Sequence, residues 1–172
     1  GISEINFSLN TVRTIISNKE KKFITNDLLL ESNRELWIGT TDGLFKYDVV
    51  TKNITHFESS PGDLFSLSDS EILSITIDDL KGIWVGTYSS GLNHANHAYM
   101  DFQKFYKTPS FSLIGNFVRG FTEDNEGNIW IGTEKAGLVK FNPRNNILRK
   151  YENSYLPDNI FGMCYLNDNI WM

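Results

Sequence analysis

The sequence predicts an all-β fold made of one repeated sheet. Three observations predict it: a string Trp-(Ile/Val)-Gly-Thr that returns at a near-constant distance, turn residues at matching places in each period, and strands apolar on consecutive positions. Leu36-Trp37-Ile38-Gly39-Thr40 returns as Ile83-Trp84-Val85-Gly86-Thr87 and as Ile129-Trp130-Ile131-Gly132-Thr133, and a shortened copy stands at Ile170-Trp171-Met172. Successive tryptophans lie 47, 46 and 41 residues apart.

Each period reads as four short strands. The first is a polar residue followed by an apolar run, as in Ser70-Glu71-Ile72-Leu73-Ser74-Ile75 and Asn116-Phe117-Val118-Arg119-Gly120-Phe121, with weaker versions after Asn26 and Asn159. A tight turn follows. In Asp124-Asn125-Glu126-Gly127 the Asp and Asn cap backbone donors and Gly supplies a positive φ, and Asp78-Asp79-Leu80-Lys81-Gly82 is expected to work the same way. The tryptophan strand comes second, apolar on both faces as a strand covered on both sides must be. Its glycine is the residue that admits a close neighbour. A polar turn then leads to Gly43-Leu44, Gly91-Leu92 and Gly137-Leu138, which open the third strand. The fourth carries an aromatic 14 residues beyond that glycine, at Phe57, Phe105 and Tyr151, with an apolar partner three residues earlier at Ile54, Phe102 and Leu148. Gly1-Ile2 fits the same template, with Val12 and Ile15 at the two apolar positions.

Four-stranded antiparallel sheets covered on both faces are the blades of a β-propeller. The sequence therefore predicts a single propeller domain over residues 1–172, with units at about 1–15 (an outer half), 23–57, 68–105, 115–151 and 159–172 (an inner half). The two halves leave a closed four-bladed ring open as an alternative, and in an open arc the exposed strand edges invite pairing with a second chain.

Trp-Ile-Gly-Thr followed by Gly-Leu and preceded by Asp-x-x-Gly-x-(Ile/Leu) resembles the two-component-regulator propeller repeat, the sensor region of hybrid two-component systems of Bacteroidetes-type bacteria. The strongest copy runs from Asp124 to Tyr151 and the next from Asp78 to Phe105, where Asn93-His94-Ala95-Asn96 departs from the pattern. Ser32-Asn33-Arg34-Glu35 and Asn167-Asp168-Asn169 replace the Asp-x-x-Gly turn elsewhere. The resemblance implies seven-bladed rings in a periplasmic receptor that drives a histidine kinase across the membrane. Seven blades of about 45 residues need roughly 315, so the chain would hold about 3.5 to 4 of them. It further implies an oligosaccharide ligand, control of polysaccharide utilisation and a homodimeric receptor.

Composition narrows the function. The net charge is −5, with Lys and Arg scattered, which disfavours a nucleic-acid partner. No apolar run approaches the roughly 20 residues of a membrane span, so this stretch is expected to make no membrane contact. The lone Cys164, in an apolar run, reads as a small core residue. No catalytic constellation, cofactor or metal site is predicted. His94 and His97 fall on opposite faces of a strand, His56 reads as a surface residue, and the acidic residues sit at turns. The tryptophans read as core between blades, not as a sugar platform.

The candidate ligand-binding residues are those that do not repeat. They lie in the turns between second and third strands and in the links between blades at 59–68 and 107–115. Tyr88 and Ser89 suit a sugar ring stacked on an aromatic with hydroxyls around it. Arg119, where other units have Leu73 or Gly162, is expected to face the central channel and meet a sulfate or carboxylate. Asp42, Glu134 and Lys135 complete the set. Two rival readings are a protein-interaction scaffold and a propeller lyase of the kind that opens cyclic antibiotic lactones.

Overall fold

A computed structural model describes residues 1–17, 22–96, 100–105 and 117–172. All of its regular elements are strands. The hairpin β1 (Ile2–Asn6) and β2 (Thr11–Ile16) precedes three complete blades. Blade 1 is β3 (Thr25–Leu30), β4 (Glu35–Thr40), β5 (Gly43–Asp48) and β6 (Ile54–Phe57), paired in that order. Blade 2 is β7 (Ile72–Ile77), β8 (Gly82–Thr87), β9 (Leu92–Asn96) and β10 (Phe102–Phe105). Blade 3 is β11 (Val118–Glu123), β12 (Ile129–Thr133), β13 (Gly137–Asn142) and β14 (Ile147–Tyr151). The hairpin β15 (Cys164–Leu166) and β16 (Asn169–Trp171) follows. Every pairing is antiparallel. Successive sheets meet mainly through their first strands, β3 on β7, β7 on β11 and β11 on β15, which places those strands around a common axis.

The repeated string builds the seams. Trp37 packs into a core with Ile72, Ile75, Ile83 and Ala95 of blade 2, and Trp84 into one with Val118, Ile129, Ile131 and Phe141 of blade 3. Both indoles are at most 1% exposed, whereas Trp130, beside the two-stranded β15–β16, is half-buried and Trp171 is 61% exposed. A tryptophan is thus buried by the blade that follows it. The string's glycine makes that approach feasible, since a Cβ on Gly39 would stand 2.8 Å from Ile72 Cγ2, on Gly86 2.7 Å from Val118 Cγ1, and on Gly132 2.7 Å from Ile160 Cγ2. Its buried threonine pins the turn to the third strand: Thr40, Thr87 and Thr133 donate to the carbonyls of Gly43, Gly91 and Gly137 at 2.8, 2.8 and 2.9 Å.

Three expectations are corrected. In the blade 2 turn the left-handed residue is Lys81 (φ 65°), the counterpart of Gly127 (φ 76°), while Gly82 already belongs to β8. The outermost strands are less covered than predicted, because β6 and β14 are mostly exposed and only Phe102 on β10 is buried. Cys164 is exposed on β15, since that sheet has neither outer strands nor a following blade to cover it.

Candidate functional site

The first strand of each blade carries a β-bulge at the same place, after Thr25, Ile72 and Val118, so that Asn26, Leu73 and Arg119 are the extra residues. A bulge re-aims its side chain out of the alternation of the strand. The counterpart on the last sheet follows Ile160, because Ile160 meets Gly132 as Val118 meets Gly86, and is therefore Phe161 and not Gly162 as predicted.

Arg119 leans toward the turn between β12 and β13. Its Nε and Nη2 donate to Glu134 Oε2 at 3.1 and 2.7 Å, and its guanidinium lies 5.7 Å from the exposed Phe161 ring. The predicted anion-binding arginine thus already has an internal carboxylate. The amide of Glu134 donates to the Phe117 carbonyl at 3.0 Å, as the amide of Tyr88 does to Glu71 (2.9 Å) and that of Thr41 to Ile24 (3.0 Å), so each turn is tied to the base of its own blade's first strand. That tie brings the Phe117 ring between two turns. Tyr88 meets it edge-on at 5.0 Å between centroids, and Lys135 Nζ stands 5.8 Å from it.

Six side chains from blade 2, blade 3 and the last sheet therefore form one chain of contacts in two groups: Tyr88–Phe117–Lys135 and Phe161–Arg119–Glu134, joined through the backbone of Phe117 and Glu134. Ser89 is held beside Tyr88, its Oγ and amide both donating to Asp69 Oδ2 at 2.7 and 3.1 Å. Asp42 lies apart in the blade 1 turn, where its carbonyl meets His56 Nε2 at 2.6 Å and His56 stacks on Phe45 at 4.0 Å. Phe117 and Phe161 are absent from the sequence-based set. The signal for Phe117 was its position, an aromatic where the other blades carry Ile24 and Glu71. The link 107–115 and His97 lie outside the described residues. His94 faces its own blade, 4.2 Å from Trp84 and 3.7 Å from Asp78. Among the described residues no three His, Cys, Asp or Glu side chains converge as metal ligands.

Exposed aromatic edges beside a charged donor–acceptor pair can stack on a sugar ring and bond its hydroxyls. The fold is that of a β-propeller, and the turns between its second and third strands present non-repeating side chains on one face. Residues 112–135 match the two component regulator propeller family, and the Trp-(Ile/Val)-Gly-Thr string they contain is the one repeated in the other blades. Over 93 residues, 51% of this chain and 7% of the relative, it is 41% identical to Histidine kinase P4 of Formosa agariphila. It superposes with a TM-score of 0.77 and 22% identity on the extracellular domain assigned to a hybrid two component system of B. thetaiotaomicron, covering 94% of this chain and 23% of that one. Virginiamycin B lyase from Staphylococcus aureus superposes with a TM-score of 0.70 at 15% identity, covering 98% of this chain and 54% of that one. The likeness to both solved structures is one of fold. The chain spans a small part of the kinase and about a quarter of the extracellular domain.

Proposed function

We propose that the chain is a ligand-sensing propeller of a hybrid two-component sensor, placed in the periplasm, which recognises an oligosaccharide and thereby regulates polysaccharide utilisation. The observation that carries the ligand is the run Tyr88–Phe117–Lys135 and Phe161–Arg119–Glu134, a non-repeating strip of aromatic and paired charged groups on an otherwise repeating scaffold. The family match and the kinase relative support the signalling role. In this reading the propeller itself catalyses nothing. Its binding acts on a histidine kinase in the same receptor, a homodimer across the membrane.

Calorimetric titration of a panel of neutral and acidic oligosaccharides tests the reading. One class should bind, and Tyr88→Ala and Arg119→Ala should each weaken it about tenfold or more, the loss expected when one stacking or charge-assisted contact worth about 1.4 kcal/mol disappears. Folded protein that binds none of the panel, or binds equally well in both variants, refutes it.

A further inference from the structure

The bulge residue and the first residue of the turn between second and third strands hold the same two places in each complete blade. The residue before the bulge pairs with the string's threonine, as Thr25 with Thr40, Ile72 with Thr87 and Val118 with Thr133. The residue after that threonine then donates its amide to the carbonyl at the base of the first strand: Thr41 to Ile24, Tyr88 to Glu71 and Glu134 to Phe117. Each of those carbonyls lies two positions before the bulge residue, so the places pair off as Asn26 with Thr41, Leu73 with Tyr88 and Arg119 with Glu134. The last pair shows how close these places are, since its side chains meet at 2.7 Å.

The three pairs differ in chemistry. In blade 1 both side chains hold the scaffold: Asn26 Nδ2 donates to the Ile72 carbonyl at 2.7 Å, and Thr41 Oγ1 accepts the Ile24 amide at 3.0 Å. In blade 3 the two charges bond each other. Blade 2 instead sets an aliphatic chain beside an aromatic ring. The bulge takes Leu73 out of the alternation that buries its neighbours. Among the described residues, the cores on the two sides of blade 2 take in Ile72, Ile75 and Val118 but not the half-buried Leu73. Tyr88 keeps 42% of its surface in solvent, its ring held by the T-shaped contact with Phe117.

An aliphatic group beside a stacking ring distinguishes a methyl from a hydroxyl. A pyranose laid on Tyr88 presents the substituents of its rim to Leu73. A hydroxyl or hydroxymethyl there gives up water and gains no partner, whereas a methyl gains by burial. Hydroxyls elsewhere on the ligand have the Arg119–Glu134 pair of the next blade to bond. We infer that Leu73 is the specificity-determining residue of this face, and that with Tyr88 it takes a methyl-bearing sugar residue, a 6-deoxyhexose or an N-acetylhexosamine. The inference rests on the oligosaccharide reading and narrows it.

Calorimetric titration of the full chain with matched tetrasaccharides tests it. One set differs at C6, hexose against 6-deoxyhexose in the gluco, galacto and manno series, and the other at C2, hydroxyl against N-acetylamino. The methyl-bearing member of a pair should bind about tenfold tighter or more, the discrimination that one methyl-sized group gives in an apolar site, and the set that shows the preference identifies the substituent. Leu73→Ala should bring the two members to near parity by weakening the methyl-bearing one. Leu73→Asn, which copies the blade 1 residue, should do the same or reverse the order. Both variants should melt close to the wild-type temperature, because the seam cores are untouched. A merely structural defect weakens both members alike and leaves their ratio unmoved. Binding without preference for the methyl-bearing member, a preference that survives both variants, or equal weakening of both members overturns the inference and leaves the oligosaccharide reading standing. Folded protein that binds none of the tetrasaccharides overturns both.

Discussion

The indole of Trp84 donates to Asp78 Oδ2 at 2.7 Å, and the same bond, from a tryptophan to a carboxylate six residues earlier, recurs as Trp130 to Asp124 (2.8 Å) and Trp37 to Glu31 (2.9 Å). The turn acid thus has two tasks, since Asp78 Oδ1 also accepts the Gly82 amide at 2.7 Å. It closes the turn between first and second strands and satisfies the one polar atom of the residue that fills the seam. Asp78→Asn keeps the shape but leaves one acceptor for two buried donors. It should cost about 1–3 kcal/mol, the penalty for a buried donor left unpaired, read as a shift of the urea midpoint with an unchanged slope. A midpoint within error of the wild type counts against the double task.

Acid should expose the same bond. Burial pushes the Asp78 carboxyl up, but its bonds from His94, Trp84 and the Gly82 amide outweigh that and leave it below the usual aspartate value, and Asp124 is likewise lowered by Asn128 and Trp130 against its burial. A carboxylate lowered in the folded state contributes stability above its unfolded pKa that is lost as pH falls through the folded one. Glu123 has the opposite sign, raised by burial and by Asp79, Asp78 and Asp124 against the bond from the Asp79 amide. Its ionisation therefore costs stability as pH rises through the carboxylate range. Glu123→Gln, which retains an acceptor, should raise the melting temperature at pH 7 and leave it nearly unchanged at pH 3, whereas Asp78→Asn should lower it at pH 7 and flatten its fall in acid. Equal shifts at both pH values would show that neither effect is ionic.

Opposite the tryptophan of each complete blade stands a cation, except in blade 2. Trp37 pairs with Lys46, whose Nζ is 5.2 Å from the ring, and Trp130 with Lys140 at 5.0 Å, but Trp84 pairs with His94. The imidazole occupies the space above Gly82, where a Cβ would also stand 2.7 Å from Asp78 Oδ2, while blade 1 has Glu35 there, bridged to Lys46 at 2.7 Å. His94→Lys should restore the cation over the ring, a gain of at most about 1 kcal/mol at pH 7 for a partly exposed site. Gly82→Ala should destabilise the native protein more than it does the His94→Ala variant, and a double-mutant cycle measures that difference.

Much of this was readable in the sequence, and what was not has a physical cause. The period, the four strands and the seam glycines follow from local pattern, because Trp37, Trp84 and Trp130 each stand in a second strand paired with a first and a third strand of the same blade. Lys81 escaped because the blade 2 turn closes at the same position as that of blade 3 with a lysine in the left-handed place, while its glycine stands one residue later, where His94 and Asp78 leave no room for a Cβ. Cys164 escaped because an apolar run predicts burial only where a partner exists to cover it. In the candidate site, Tyr88, Glu134 and Lys135 stood out as breaks in the repeat, but the Arg119–Glu134 pair and the Phe117 contact join residues 15 and 29 positions apart in different turns and strands. A bulge and a tie between turn and strand create them, and neither has a sequence signature.

The Arg119–Glu134 pair should matter far more to ligand than to fold. Both side chains keep about a quarter of their surface in solvent, at 29% and 25%, so losing the pair should cost about 0.2–1 kcal/mol of stability. Glu134→Ala therefore leaves the melting temperature almost unmoved while freeing Arg119. If the pair reads hydroxyls, affinity for a neutral glycan falls; if Glu134 merely screens the arginine, affinity for an acidic one rises. Titration of the two glycan classes against this one variant separates those roles.

The seam glycines supply the sharpest structural test. A Cβ at Gly86 would run into Ser74 Oγ and lie 2.7 Å from Val118 Cγ1 and 2.8 Å from the Val118 carbonyl oxygen, which belongs to the backbone of the next blade. At Gly132 the close atoms are Ile160 Cγ2 and the mobile end of Met163, and at Gly162 nothing lies within 4 Å. Side-chain ends can turn aside, whereas a backbone carbonyl in the first strand of a blade moves only with the sheet. Gly86→Ala should therefore be the most damaging, by about 1–3 kcal/mol or more, with Gly132→Ala milder and Gly162→Ala near neutral. Hydrogen exchange should place the Gly86→Ala damage at the amides of β7, β8 and β11, because the strain lies between blades 2 and 3. Uniform loss of protection across all three blades, or the reverse ranking of the three variants, would contradict a seam set by backbone approach.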